Sequence, residues 1–178
     1  RLHQHPDGGI ARFRYFGTVR PRFPQDKHQI LDLASVKNGA VALSCSDQHF
    51  GRKENLLLPG RGKDMGDGWE TARSRGAGHQ DWVIVKLGAR ASVKKIVIDT
   101  AYFRGNFPQR AEVYAAAVEE TASIETANWT LLAGGEMKAD VEHEFDSAVQ
   151  NLPFTHAKLV IYPDGGVKRL RVFGERLD

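Results

Sequence analysis

The fold of this 178-residue chain is decided by the stretch Asp67–Gly88, here called the opening stretch although it lies in the middle of the chain. It reads DGWETARSRGAGHQDWVIVKLG. It opens with an Asp-Gly turn and continues through a glycine-rich loop that carries two arginines, a glutamate and a histidine. It closes on a predicted strand, Asp81–Leu87, in which Val83, Val85 and Leu87 share one face. Polar side chains that lead into an apolar strand indicate a loop held at the edge of a buried sheet, where binding and catalytic residues are commonly found. An ordinary surface loop is the alternative.

Further short segments with alternating apolar residues follow this strand. Gly, Pro and Asn residues separate them, and none shows the 3.6-residue period of an amphipathic helix. We predict strands at Lys94–Asp99, Ala111–Ala117, Trp129–Leu132, Val141–Phe145, Lys158–Tyr162 and Val167–Phe173. This pattern is typical of an all-β sandwich. Leu31–Ser44 is expected to form a first strand or a short helical turn, and Ser46–Gly66 a long polar loop with a functional role.

The two ends of the chain carry an internal repeat. Residues 1–17 read RLHQHPDGGIARFRYFG and residues 158–174 read KLVIYPDGGVKRLRVFG, with nine of the seventeen positions identical. Each copy is predicted to be a hairpin, because Pro-Asp-Gly-Gly supplies the backbone angles of a tight turn. We interpret 1–17 as the closing hairpin of a preceding, mostly missing repeat, 18–30 as a linker, and 31–178 as one complete repeat. The apolar side chains of the first copy are expected to pack on the second repeat or on a neighbouring chain.

Composition restricts the classes of function. The net charge is only +3, with 25 basic and 22 acidic residues and no conspicuous Lys/Arg run, so no nucleic acid is predicted as a partner. The longest apolar run, Val113–Val118, is far too short to cross a membrane. No signal or transit peptide is visible. Cys45 is the only cysteine, which excludes an internal disulfide and favours a reducing, cytoplasmic setting.

Two groups of polar residues are the main candidates for function. The first lies in the opening stretch and combines groups suited to proton transfer with arginines suited to binding a carboxylate through paired hydrogen bonds. Its members are Asp67, Glu70, Arg73, Arg75 and His79. The second follows the strand that ends at Asp99 and combines aromatic rings with Arg104 and Asn106, as the wall of a pocket would. The alternatives are a solvated, salt-bridged loop for the first group and aromatic rings that only dock on the core for the second.

Two pairs of residues are weaker candidates. Arg169 and Arg171 lie two apart on one predicted strand face, which suits an anion or a partner domain, although an exposed sheet face fits better. His3 and His5 also share a face, but the matching positions of the second copy carry no metal ligands, so a metal site there is not predicted. No cofactor is predicted. The sequence neither indicates nor excludes a site for a hard divalent cation bound by loop oxygens, because such a site leaves little trace in a sequence.

Several long motifs resemble those of the allantoicase family. They are Asp67-Gly68-Trp69-Glu70-Thr71, the Arg73/Arg75 pair, Asp81–Gly88, Asp99-Thr100, Gly105-Asn106-Phe107-Pro108 and the Pro-Asp-Gly-Gly turn. The similarity extends over about residues 30–175, and residues 1–17 resemble the close of that family's first repeat. Tyr102 stands where the family's motif commonly has histidine.

The resemblance implies a jelly-roll β-sandwich of the galactose-binding type, repeated in two lobes. It also implies hydrolysis of allantoate to ureidoglycolate and urea in purine degradation, by a cytoplasmic homo-oligomer in which this lobe packs against the missing first lobe. This chain would then be a piece of the two-lobed enzyme, inactive alone if the site is shared between lobes. For that reaction the candidate catalytic residues, chosen by their chemistry, are Glu70, Asp67 and His79, with Glu70 favoured as the base. The candidate substrate-binding residues are Arg73, Arg75, Arg104, Asn106, Tyr102 and Asp99.

A non-catalytic interpretation stands beside the enzymatic one. The Asp-Gly-Trp turn, with Trp82 leading into a strand that ends in Leu-Gly, also resembles discoidin-type carbohydrate-binding modules of the same fold. Those modules are typically secreted and closed by a terminal disulfide, which a chain with one cysteine cannot form. The cysteine count and the Gly-Asn-Phe-Pro motif therefore favour the enzyme, since fold alone does not decide function. A structural lobe kept for oligomer contacts is the third alternative.

Overall fold

The apolar strand of the opening stretch becomes the centre of the fold. In the computed structural model, which describes residues 1–119 and 121–177, it is the first part of a 19-residue strand, β4 (Asp81–Asp99). The other strands are β1 (Leu31–Asp32), β2 (Val41–Cys45), β3 (Trp69–Glu70), β5 (Arg110–Ala116), β6 (Thr130–Glu136), β7 (Glu142–Asp146), β8 (Phe154–Tyr162), β9 (Gly166–Val167) and β10 (Arg169–Arg176). The predicted all-β class is confirmed, but β4 replaces two separately predicted strands.

β4 belongs to both layers of the sandwich. Its first half pairs with β2 on one side and β8 on the other, and β5 and β6 extend this layer beyond β8. Its second half pairs with β10 and β7, and β1 extends the second layer beyond β10. The register with β8 shifts between Lys86 and Ala91, where β4 crosses from one layer to the other. Gly88 lies at this crossing. Only glycine fits at this position, because a Cβ atom there would overlap the carbonyl oxygen of Asn38.

The hydrophobic core lies between the two layers. Val83, Val85 and Leu87 are at most 4% exposed, as the alternation of the opening stretch predicted. Ile96 and Ile98 from the second half of β4 are fully buried as well. Burying an aliphatic side chain of this size contributes about 1.5–3 kcal/mol. The core therefore rests largely on one strand that supplies side chains to both halves of the sandwich.

Helical structure in the described part of the chain is limited to four short 3-10 turns. They are Val36–Asn38, Lys53–Leu57, Met65–Asp67 and Ile124–Thr126. Two of them order the stretch that was predicted as a loop, Ser46–Gly66, and place Leu56 and Leu57 in the core. No helix among the described residues has the length and apolar character needed to cross a membrane.

The Pro-Asp-Gly-Gly turn near the end of the chain is not the predicted hairpin. β8 leads into it and β10 leaves it, but β8 pairs with β4 and β5, whereas β10 pairs with β4 and β1. The turn is therefore an arch that carries the chain from one layer to the other. Gly165 has a φ of 130°, a backbone conformation that glycine adopts readily and other residues rarely do.

Residues 1–17, all of which are described, contain no strand, so the hairpin prediction is wrong for the first copy too. The turn itself is alike in both copies, since Gly8, which corresponds to Gly165, has a φ of 131°. The first copy does not pack on the second repeat, because Phe13 and Phe16 are 61% and 86% exposed. Its packing on another chain, and its assignment to a preceding repeat, stay predictions.

Candidate functional site

The candidate site lies where the opening stretch meets the Pro-Asp-Gly-Gly arch. β3 pairs with β9, which places Glu70 opposite Gly166. Trp69 points into the core, where it is fully buried and its indole N–H donates to the carbonyl oxygen of Asp47 at 2.8 Å. Because neighbouring side chains of a strand point to opposite faces, the burial of Trp69 directs Glu70 away from the core. Glu70 therefore faces a cavity at the edge of the sandwich.

This cavity has a volume of about 430 Å³, within the range of about 300–1,000 Å³ that is usual for small-molecule sites. Its side-chain lining is formed by Phe50, Glu70, Thr71, Arg73, Ser74, Asn106, Phe107, Gln109, Pro163 and Asp164. Three of the predicted site residues, Glu70, Arg73 and Asn106, are therefore brought together from two separate segments of the chain. The lining thus combines carboxylates, amides and one guanidinium group.

Glu70 and Asn106 form a polar pair inside the cavity. The side-chain amide of Asn106 donates to Glu70 Oε1 and also approaches the sulfur of Met65 at 3.4 Å. The backbone of Asn106 is fixed as well, because its carbonyl oxygen accepts from the N–H of Gly166 at 2.7 Å. The hydrogen bond engages one oxygen of Glu70, so its second oxygen is not used by this pair.

The arch supplies a carboxylate that the sequence analysis did not select. Asp164 lines the cavity and accepts from the backbone N–H of Ser74 at 2.7 Å. The hydroxyl of Thr71 accepts from the N–H of Gly165 at 3.1 Å, so two residues of the opening stretch are tied to the arch. The signal that could have identified Asp164 was the Pro-Asp-Gly-Gly motif itself, which was interpreted only as a turn.

Arg73 also lines a second hollow, of about 290 Å³, next to the main cavity. This hollow contains His79, whose Nε2 lies 3.2 Å from Asp81 Oδ2. Asp81 is only 2% exposed and its other oxygen accepts from the hydroxyl of Ser46 at 2.7 Å. A buried carboxylate that orients an imidazole is a common arrangement for proton transfer. His79 is therefore a neighbour of the main cavity through Arg73.

Asp67 and Asp99, two predicted site residues, are engaged in ion pairs outside the main cavity. Asp67 pairs with Lys168 and Arg169. Asp99 is 1% exposed, and both of its carboxylate oxygens accept from Arg61 at 2.9 Å. The hydrogen bond to Asp99 raises the pKa of the Arg61 guanidinium. Both carboxylates therefore have cationic partners within the protein.

The remaining predicted residues, Tyr102, Arg104 and Arg75, lie on the surface and do not line the cavity. Tyr102 has a φ of 69° and its hydroxyl donates to the carbonyl oxygen of Gly62 at 3.3 Å. Arg104 pairs with Asp140 at 3.3 Å. Arg75 is exposed. The structure thus places three of the nine predicted residues in the cavity, His79 in the adjacent hollow, and the other five outside both.

The two arginines that were predicted to lie on an exposed sheet face instead hold the long loop. Arg169 is 2% exposed, and the side chain of Arg171 is 15% exposed, so that prediction is wrong. Together they donate to the backbone carbonyl oxygens of Asn55, Leu58, Gly60 and Asp67. Carbonyl groups of a loop need such partners when the loop packs against a sheet. The loop before the opening stretch is therefore held against β10 by Arg169 and Arg171.

A hydrogen-bonded network supports the arch from the other side. Glu112 is 5% exposed and accepts from the hydroxyl groups of Tyr114 and Tyr162 at 2.8 and 2.7 Å. Burial raises the pKa of Glu112, but the hydrogen bonds from the two tyrosines, together with Arg110, outweigh it and hold the pKa below its ordinary value. Tyr162 immediately precedes Pro163 of the cavity wall. The ionised carboxylate of Glu112 thus anchors one side of the site.

Replacement of this carboxylate should change how stability depends on pH. Because the pKa of Glu112 is lower in the folded state than in the unfolded state, the ionised group stabilises the fold above the unfolded pKa of about 4.3. That contribution is lost as the pH falls through the folded-state pKa. We expect Glu112→Gln to lower Tm by about 3–6 °C at neutral pH, as hydrogen bonds to a charged group imply.

Thermal unfolding at a series of pH values measures this effect. The difference in Tm between the wild type and Glu112→Gln should shrink as the pH falls below about 4. Glu136→Gln, which changes an exposed carboxylate on the neighbouring strand, is the matched control and should have little effect. A difference that stayed constant across the whole pH range would contradict the assignment.

Comparisons with known proteins identify the relatives of this chain. The family model described as the allantoicase repeat matches residues 31–177. Allantoicase from Neurospora crassa is 55% identical over 99% of this chain, and allantoicase from Saccharomyces cerevisiae is 52% identical over 98% of it. The chain covers 51% and 52% of those two proteins. It therefore spans about half the length of the relatives it matches.

The similar solved structures agree with this relationship. The crystal structure of allantoicase from Saccharomyces cerevisiae has a TM-score of 0.80 and 51% identity, over 95% of this chain and 49% of that chain. A family 32 carbohydrate-binding module from Clostridium perfringens NanJ, solved in complex with galactose, has a TM-score of 0.60 with 14% identity, over 82% of this chain and 99% of that one. The second likeness is one of fold alone and confirms the galactose-binding type of sandwich. A repeat model that matches almost all of the sandwich, with relatives above 50% identity along the whole chain, shows that the chain belongs to the allantoicase family.

Proposed function

We propose that the protein to which this chain belongs hydrolyses allantoate to ureidoglycolate and urea at a site that includes the Glu70 cavity. Allantoate is a small carboxylate with two ureido groups on one carbon, so its site needs a cation and several hydrogen-bonding groups. The observation that carries the proposal is that Arg73, Glu70 and Asn106 line one cavity in a chain of the allantoicase family.

Arg73 is the proposed partner of the substrate carboxylate. It is exposed, and no acidic side chain pairs with it among the described residues. Arg104, in contrast, already pairs with Asp140. A guanidinium group without a carboxylate partner can bind a substrate carboxylate through two parallel hydrogen bonds. Arg75 is also exposed but lies outside the cavity lining, so we assign it a supporting electrostatic role only.

Glu70 and Asn106 are the proposed partners of the ureido groups and of water. The amide of Asn106 orients one oxygen of Glu70, which leaves the other to accept a proton from a bound water molecule. The water oxygen forms a bond to the central carbon as the carbon–nitrogen bond to one ureido group breaks. The departing nitrogen must gain a proton, and His79, oriented by Asp81 in the adjacent hollow, is the proposed donor.

The wider organisation is part of the same proposal. We propose that residues 1–17 close a preceding repeat of this fold, which the nine identical positions and the matching φ angles of Gly8 and Gly165 support. Its exposed apolar side chains would pack on that lobe. A cytoplasmic, homo-oligomeric enzyme follows from the family resemblance and from the single cysteine, which leaves Cys45 unpaired. No group of three metal-binding side chains comes together within residues 1–119 and 121–177.

Urea release from allantoate tests the function. The assay compares this 178-residue chain with the longer protein that contains it, each with and without a chelator so that a metal requirement becomes visible. Urea release by the longer protein is expected. Release by the chain alone would place a complete site in this lobe, whereas an inactive chain beside an active longer protein would mean that the first lobe contributes residues. No release by the longer protein would overturn the proposal and favour a carbohydrate-binding role.

A further inference from the structure

Lys168 is a buried cation behind the candidate site, and the proposed mechanism gives it no role. Its side chain is 0% exposed, and lysine is almost never fully buried unless it is paired. Its ammonium group pairs with the carboxylate of Asp67 and donates to the carbonyl oxygen of Asp64. It also lies 5.0 Å from the centre of the Tyr102 ring, within the range of a cation–π contact. The contacts with Asp64 and Asp67 hold one short turn, and the contact with Tyr102 joins that turn to the loop after β4.

That turn is Met65–Asp67, and its other side supports the cavity. Asp64 caps the turn by accepting from the N–H of Gly66 at 2.8 Å. The sulfur of Met65 lies 3.4 Å from the side-chain amide of Asn106, which in turn donates to Glu70. Direct contacts therefore lead from the buried ammonium group, through the turn, to the polar pair in the cavity.

Arg169 holds the same turn but does not replace Lys168. Its guanidinium group donates to the carbonyl oxygen of Asp67 at 2.6 Å and reaches the carboxylate at 3.3 Å. Its remaining bonds to the loop go to Asn55 and Gly60, in the earlier part of that loop. Lys168 is the one of these two cations that also reaches Asp64 and the Tyr102 ring.

We propose that Lys168 is a positioning residue of this site, which locks the Met65–Asp67 turn so that Asn106 holds Glu70 in its reactive orientation. Asp67 and Tyr102 then act through Lys168 and not on the substrate. The catalytic consequence rests on the proposed function, but the locking of the turn does not. This role also explains why Asp67, a carboxylate of the motif shared with the allantoicase family, lies outside the cavity.

The charges around the ammonium group make the lock sensitive to alkali. Asp64 and Asp67 face it from the loop, Arg169 from the first position of β10, and the aromatic ring of Tyr102 from the loop after β4. Burial, with a smaller contribution from the charge of Arg169, lowers the pKa of Lys168 to about 8, and Asp64 opposes this change. Because the ammonium group must be protonated to make the ion pair, the lock is present below that pH and weakens above it.

Hydrogen–deuterium exchange on this chain tests the lock without any assay of activity. In Lys168→Met, the backbone amides of residues 64–68 should exchange about tenfold faster at neutral pH, while the amides of β4 and β8 keep their rates. Lys63→Met removes an exposed lysine of the same loop and is the matched control, with no change expected. Asp67→Asn removes the partner charge and should accelerate the same amides, which keeps the test valid if Lys168→Met does not fold. Unchanged exchange of residues 64–68 in the folded variants would overturn the proposal.

Kinetics on the longer, active protein test the catalytic consequence. Lys168→Met should lower kcat by about tenfold or more with a smaller change in KM, because the substrate carboxylate is held by another residue. The wild-type kcat should fall as the pH rises through about 8, and Lys168→Arg, which stays charged, should remove that fall. A residue that only stabilised the fold would leave the pH profile of the folded enzyme unchanged, and that result would overturn the positioning role. If the longer protein shows no turnover of allantoate, the proposed function fails while the exchange experiment still decides the lock.

Discussion

Replacement of Glu70 by glutamine in the longer protein is expected to remove most of the proposed turnover of allantoate and to leave the fold intact. Glutamine has the shape of glutamate and keeps an oxygen for the hydrogen bond from Asn106, but it cannot take a proton from water at neutral pH. A positioned general base contributes about 10²–10⁴-fold to a rate. We therefore expect kcat for urea release by the active protein to fall by about that factor.

Two measurements make this result decisive. The Tm of Glu70→Gln should stay within about 2 °C of the wild type, because Glu70 is only partly buried and keeps its neighbour. Glu136→Gln, which changes an exposed carboxylate that does not line the cavity, should keep full activity. Normal turnover by folded Glu70→Gln would show that the base is elsewhere, and His79 would be the next residue to replace.

Replacement of Trp69 by alanine will strongly destabilise the fold. Trp69 is fully buried, and its indole N–H donates to the carbonyl oxygen of Asp47. Truncation of a buried tryptophan costs about 3–5 kcal/mol, because contacts are lost and a cavity remains. For a domain of this size the loss corresponds to a fall in Tm of about 6–20 °C. Thermal and urea unfolding of the wild type and the variant give the value.

A second tryptophan of the chain supplies the control. Trp82 lies on the outer side of β4, is partly exposed, and has the ammonium group of Lys158 at 5.4 Å from its ring centre. Trp82→Ala should cost about 1 kcal/mol, the value of an exposed cation–π contact. Trp69→Phe should lie between the two alanine variants, because it keeps most of the packing and loses the hydrogen bond to Asp47. Equal losses for Trp69→Ala and Trp82→Ala would contradict the assignment of Trp69 to the core.

The sequence predicts the layers of this fold better than their connections. The alternation of Val83, Val85 and Leu87 is a local property, and it correctly identifies the face of β4 that is buried. Where β4 crosses between the layers, Gly88 approaches Asn38 closely, a contact between distant residues that no local pattern reveals. The arch shows the same limit: the left-handed Gly165 was predictable from its motif, but the pairing of the flanking strands was not.

The same distinction applies to the site. Glu70, Arg73 and Asn106 were selected because their residue types suit the chemistry, and the fold brings them to one cavity. Asp67 and Asp99 belong to the same types, yet each meets a cation from elsewhere in the chain. A sequence shows that a carboxylate is present, but it does not show which distant side chain neutralises it. For the same reason Lys168 and Asp164 received no role until the strands were assembled.

The strand shared by the two layers also bears on how such a protein can be enlarged. Because β4 hydrogen-bonds to partners in both layers, neither layer is a complete structure without the other. Half of the sandwich therefore offers no folded unit that duplication could copy. A gene that grows by duplication must copy this domain whole, and the sequence resembles itself at a spacing of 157 residues, close to the length of one entire sandwich. The long strand thus sets the smallest unit in which the family could have multiplied.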